Sequence, residues 1–119
     1  AVQRFGAERL SMHLHDTRGF ALANAWVAME EGIRSFDTSV GGLGGCPFAP
    51  GAAGNLATED LALMAEQCGF TTGIDIAKLR LAMAVASSIT GASLGGRTSQ
   101  WLRAEDARRL ANAGRKAGD

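Results

Sequence analysis

At 119 residues, 46% of them hydrophobic, the chain is long enough for one small domain with a core of its own. Twelve basic residues balance twelve acidic ones with no single-sign stripe, which excludes the footprint of a nucleic-acid binder or of a protein held on an anionic membrane. No apolar run approaches the roughly 20 residues of a membrane span, and the start, Ala1-Val2-Gln3-Arg4-Phe5, carries no secretory signal pattern. That start also lacks a methionine and reads as a chain that begins inside a longer protein. Two cysteines and four methionines suit a reducing, cytoplasmic compartment, with a Cys46–Cys68 disulfide as the alternative.

The elements follow in chain order. Residues 10–15 alternate, predicting a strand with Leu10, Met12 and Leu14 on one face and Ser11, His13 and His15 on the other. Asp16-Thr17-Arg18-Gly19 is a turn. A helix is predicted over 20–31, with Leu22, Trp26, Met29 and Ile33 at helical spacing and Gly32 as its stop. Residues 34–40 predict a second strand, with Phe36 and Val40 on one face and Ser35, Asp37 and Ser39 on the other. A glycine-rich loop comes next, then a very short strand at 55–57. Thr58 reads as the N-cap of a helix that buries Leu61, Met64, Ala65 and Cys68, and Gly69 ends it. Asp75 caps a further helix running to about Ile89, with Leu79, Met83 and Ala86 inward. Residues 90–99 read as a linker, and 105–116 as a basic-leaning helix. There is no internal repeat. The order strand–helix–strand–loop–strand–helix–helix is α/β, and helices between short strands point to a parallel sheet.

The loop is the densest chemical signal. Six of the sixteen glycines fall between Gly41 and Gly54, and Cys46 sits among them, next to Pro47. So much backbone freedom requires a compensating reason, and close approach of the backbone to a ligand beside a thiol supplies one. His13 and His15, two apart on a strand, point the same way and can chelate one divalent ion. The bland alternative is a pair of edge histidines with ordinary hydrogen bonds. Asp16 either orients a ring or caps the next helix. Asn55 is either an oxygen ligand for a hard cation or a turn asparagine. Glu59 and Asp60 read as helix-start carboxylates, Cys68 as a buried structural thiol, and Trp26 and Trp101 as packing residues.

Three blocks taken together resemble the hydroxymethylglutaryl-CoA lyase family, a branch of the metal-dependent TIM-barrel lyases and aldolases. They are His13-Leu14-His15-Asp16-Thr17-Arg18-Gly19 with Ala21-Leu22-Ala23-Asn24, the glycine–cysteine run 39–48, and Gly54-Asn55-Leu56-Ala57-Thr58-Glu59-Asp60. The first block is shared with related Claisen-type synthases; the Gly-Gly-Cys-Pro run is the more specific. The resemblance covers about residues 10–89 and implies the C-terminal part of a (β/α)8 barrel in 1–91, with a linker and extra helix in 92–119. It implies His13, His15 and Asn55 as ligands of Mg2+ or Mn2+, a share in proton transfer for His13, and Cys46 as a proton-moving thiol on a loop over the substrate. The implied reaction is cleavage of 3-hydroxy-3-methylglutaryl-CoA to acetyl-CoA and acetoacetate. Another 3-hydroxyacyl-CoA, such as citramalyl-CoA, is the alternative substrate. The family's early strand, with an arginine and an aspartate, has no counterpart among the nine residues before Leu10. Gly41 and Arg18 also stand where relatives often have alanine and an aromatic. The expectation is therefore a piece inactive alone, self-associating as a homo-oligomer or associating with the missing barrel half.

Overall fold

The computed structural model describes residues 1–45 and 54–116. The elements are α1 (Val2–Phe5), β1 (Ser11–His13), α2 (Ala21–Glu30), β2 (Ser35–Asp37), α3 (Thr58–Gln67), α4 (Ile76–Thr90) and α5 (Ser99–Lys116). β1 and β2 pair in parallel, with Ser11 opposite Ser35, Met12 opposite Phe36 and His13 opposite Asp37. The third predicted strand is reduced to two isolated bridges, His15 with Asn55 (antiparallel) and Ser39 with Ala57 (parallel). Both strands are shorter than their alternation suggests. Val40 leaves β2 for a 3-10 turn over Val40–Gly42, because Gly41 and Gly42 take positive φ and bend the chain away.

The core lies between the sheet and the α2–α3 layer. Ala21, Ala25 and Met29 of α2 meet Leu56, Leu61 and Ala65, with Leu14, Phe36 and Phe70 packed against them. The buried face of α2 is Ala21, Ala25, Ala28 and Met29, not the predicted Leu22–Trp26 line; Leu22 is half-buried and Trp26 is 36% exposed. Alanines let α2 approach its neighbours closely, and the indole then faces outward. Trp101 is likewise 45% exposed, so neither tryptophan is a core residue.

α2 and α3 end in the same way. Past α2, Gly32 (φ 91°) donates to Met29 O and Ile33 to Ala28 O; past α3, Gly69 (φ 88°) donates to Glu66 O and Phe70 to Ala65 O. This paired pattern satisfies the last helical carbonyls and turns the next apolar residue back onto the core. It also corrects the expectation for Cys68. The residue after α3 that fills the core is Phe70, delivered by the Gly69 reversal, and Cys68 at the C-cap is exposed.

Two helix starts differ from the sequence reading. Ala57 is the N-cap of α3, and Thr58 is the first helical residue, its hydroxyl 2.9 Å from the Thr38 hydroxyl. α5 begins at Ser99 rather than 105 because the preceding backbone is tied down by carboxylates from α3. Asp75 caps α4 as predicted, accepting from Lys78 N at 3.1 Å, and α4 buries Met83 with Leu79 and Ala86 half-buried beside it. No helix among the described residues is long and apolar enough to cross a membrane.

Arg80 of α4 grips Asp106 of α5 through both guanidinium nitrogens, Nη1 donating to Oδ1 at 2.6 Å and Nη2 to Oδ2. This bond holds the Asp106 carboxyl below its ordinary value. A carboxylate with a depressed folded pKa contributes fully above its unfolded pKa, and the contribution is lost as pH falls through the folded one. Hydrogen exchange of α5, corrected for intrinsic rates, is expected to show the helix docked at neutral pH and loosened only below about pH 4. Asp106→Asn should loosen it at neutral pH. Unchanged exchange in that variant would show that the pair does not dock α5.

Candidate metal centre

The parallel register sets His13 at the C-terminal end of β1, beside Asp37 at the C-terminal end of β2. His13 and His15 project from the same side of the chain, as alternate residues do. Their Nε2 atoms lie 3.1 Å apart, with ring centroids 5.1 Å apart at an interplanar angle of 65°. The other ring nitrogen of His13, Nδ1, meets Asp37 Oδ1. Asn55 is brought to His15 through the backbone: Leu56 N donates to Leu14 O at 2.8 Å and Asp16 N to Gly54 O at 2.9 Å. These bonds flank His15 and Asn55 as a non-hydrogen-bonded antiparallel pair, the geometry in which opposite side chains stand closest. The Asn55 amide nitrogen donates to Leu43 O at 3.0 Å, which leaves its carboxamide oxygen available to a cation.

The histidine pair fits a shared ion. Two nitrogens about 2.1 Å from one cation, at right angles, stand about 3.0 Å apart, close to the 3.1 Å between these two Nε2 atoms. The set is open. Among the described residues no three His, Cys, Asp or Glu side chains gather around one point, so the candidate donors are limited to the two imidazoles and the Asn55 amide oxygen. Cys46 lies in 46–53, outside the described residues.

The glycines around the loop make room for protein. A Cβ on Gly44, whose φ is +111°, would stand 2.7 Å from Asn55 Nδ2, and one on Gly54 would run into the Gly44 carbonyl. The 42–45 segment can thus lie against 54–55 and hold the Asn55 amide. Gly44→Ala is expected to displace that amide, strain the backbone by about 1–2 kcal/mol and weaken Mn2+ binding. Isothermal titration checks it, and unchanged affinity would remove Asn55 from the centre.

Glu59 and Asp60 are 1% and 3% exposed. Glu59 accepts from Gly41 N at 3.0 Å, Gly96 N at 2.7 Å and Ser99 Oγ at 3.3 Å. Asp60 accepts from Arg97 N at 2.7 Å, Thr98 N at 2.9 Å and Thr98 Oγ1 at 2.6 Å. Two carboxylates in the first turn of α3 therefore neutralise the backbone donors leading into α5, favourable for both helix N-termini. Residues 95–98, read as linker, are instead held by the first turn of α3 and by the Gly41 carbonyl. Asp16 caps rather than orients: it accepts from Ala21 N at 3.1 Å and from Arg97 Nε at 2.7 Å. Asp16, Asn55, Asp60 and Arg97 line one cleft of about 270 Å³ with Gly41, Gly42, Gly54 and Gly96. Sequence reasoning missed Asp37 and Arg97. For Asp37 the signal was available, since it shares the polar face of its strand with Ser35 and Ser39, and parallel pairing sets that face beside the histidines.

The two imidazoles lie at and just beyond the C-terminal end of a parallel strand, and an antiparallel bridge sets Asn55 opposite His15, which makes this an α/β protein with its candidate donors at the strand end where such folds carry their sites. The HMGL-like family model matches residues 3–86, and the chain belongs to that family. Hydroxymethylglutaryl-CoA lyase YngG of Bacillus subtilis is 53% identical over 78 residues, 66% of this chain and 26% of that protein. The crystal structure of the B. subtilis HMG-CoA lyase matches with a TM-score of 0.81 at 45% identity, over 86% of this chain and 34% of that one. The (R)-citramalyl-CoA lyase of Chloroflexus aurantiacus is 49% identical over 86 residues, 72% of this chain and 26% of the relative. An HMG-CoA lyase from Acinetobacter baumannii, solved with coenzyme A and 3-methylmalate, matches with a TM-score of 0.74 at 41% identity, over 83% of this chain and 32% of that one. The chain thus spans about a quarter of the curated relatives and a third of the solved chains.

Proposed function

We propose that this chain is the metal-bearing C-terminal part of a TIM-barrel lyase that cleaves 3-hydroxy-3-methylglutaryl-CoA to acetyl-CoA and acetoacetate. Residues 1–91 would form the barrel part, and 92–119 the appended loop and helix. The observation that carries the proposal is the 3.1 Å approach of His13 and His15 Nε2 at the C-terminal end of a parallel strand, the end where such barrels hold their chemistry. The form of the chain agrees with a part: its radius of gyration is 16.7 Å, against about 13.5 Å for a compact domain of this length.

His13, His15 and Asn55 would hold Mg2+ or Mn2+. When bound, the cation supplies polarisation of the substrate's hydroxyl and carbonyl oxygens. His13 would hold the ion and, as the resemblance implies, have a share in moving the proton that the substrate's tertiary hydroxyl loses. In this structure Nδ1 faces Asp37 and Nε2 faces His15. Proton delivery to the acetyl-CoA carbanion that leaves as the C–C bond breaks then falls to the Cys46 thiol. The cleft beside Asn55, with Arg97 at its edge, offers an acyl-CoA a polar wall.

The test is acetoacetate release from 3-hydroxy-3-methylglutaryl-CoA with Mn2+, by this chain alone and joined to an upstream barrel portion. The chain alone is expected to be inactive and the joined protein active. Cys46→Ser should then lower kcat with little effect on Mn2+ affinity. An inactive joined protein that binds Mn2+ would refute the reaction. The citramalyl-CoA lyase relative supports a second substrate, and preferential cleavage of citramalyl-CoA in competition would favour it.

A further inference from the structure

Among the described residues the Asp37 side chain holds no backbone donor. Asp16, Glu59 and Asp60 each hold backbone donors, whereas the one hydrogen bond of Asp37 among the described residues is to His13 Nδ1. The two side chains are 57% (His13) and 63% (Asp37) exposed, so burial does not force them together. The parallel register does, by setting residue 13 of β1 beside residue 37 of β2 with both on the polar face. An ionised carboxylate only accepts hydrogen bonds, so the nitrogen facing it carries the proton. In a neutral ring the lone pair is then on Nε2, the atom that lies 3.1 Å from His15 Nε2.

We propose that Asp37 is a positioning residue of the metal centre: its carboxylate holds His13 in the Nδ1–H tautomer and so presents Nε2 to the cation. The inference rests on the metal reading of His13 and His15. It assigns to β2 a part in the centre that needs no contact with substrate or ion.

Long-range ¹H–¹⁵N spectra of the metal-free chain read the tautomer directly. The wild-type His13 is expected to be Nδ1–H, and Asp37→Ala should shift it toward the Nε2–H form that a free imidazole prefers. Mn2+ titration into the millimolar range should show a 10–100-fold loss in Asp37→Ala. Asp37→Asn, whose carboxamide oxygen still accepts from Nδ1, should keep the tautomer and most of the affinity. An Nε2–H ring in the wild type, or a tautomer indifferent to Asp37→Ala, would overturn the proposal. An Asp37-dependent tautomer in a chain that binds no Mn2+ would overturn the metal reading, and the positioning role with it.

Discussion

Glu59→Ala is expected to destabilise the chain by about 3–5 kcal/mol. The variant leaves the Gly41 and Gly96 amides and the Ser99 hydroxyl without their acceptor. The Gly41 and Ser99 donors are buried and the Gly96 amide half-buried; a buried donor so orphaned costs about 1–3 kcal/mol. The loss is a large fraction of the 5–15 kcal/mol that holds a typical domain together, and it falls on the glycine turn and the entry to α5 at once. Glu59→Gln should fall between, since its amide keeps one acceptor oxygen but turns an N–H toward a donor. Asp75→Ala is the control: it removes one exposed cap bond, to Lys78 N, and should cost about 1 kcal/mol. Chemical denaturation of the three variants orders them. A Glu59→Ala midpoint as small in its shift as that of Asp75→Ala would mean that the carboxylate does not clamp the two segments.

His15→Ala is expected to abolish the metal centre while leaving the fold intact. The side chain is not part of the core, and its backbone pair with Asn55 does not need the ring. Removing one of two imidazoles from an open site should cost Mn2+ affinity well beyond the roughly 10–100-fold of an outer-shell change. In a completed barrel it should remove acetoacetate release. Far-ultraviolet circular dichroism and Mn2+ titration together separate the effects. A folded variant with undiminished affinity would place the ion elsewhere.

Much of this arrangement was legible before any coordinates. Alternation from Leu10 to His15 set both imidazoles on one side, and two glycines at helix ends marked where α2 and α3 stop. Asp75 announced α4. What periodicity could not supply was competition between candidates for the same space. Trp26 and Ala25 both fit a helical stripe, and the tighter approach of α2 to its neighbours selects the alanine. Cys68 and Phe70 both follow α3, and the Gly69 reversal selects the phenylalanine. Residues 90–99 read as linker because glycine and serine carry no pattern of their own. Their order comes from Glu59 and Asp60, more than thirty residues earlier. Asp37 was legible as a polar-face residue of its strand, but its place beside His13 comes from the strand register, which depends on partners.

Pulsed electron paramagnetic resonance of Mn2+ bound to the chain, with histidine ¹⁵N-labelled, tests the central claim most directly. Two imidazole nitrogens coupled to the ion, falling to one in His13→Ala and in His15→Ala, is the predicted result. Mn2+ bound with no histidine coupling, or with couplings that neither substitution changes, would contradict a centre built on these two residues.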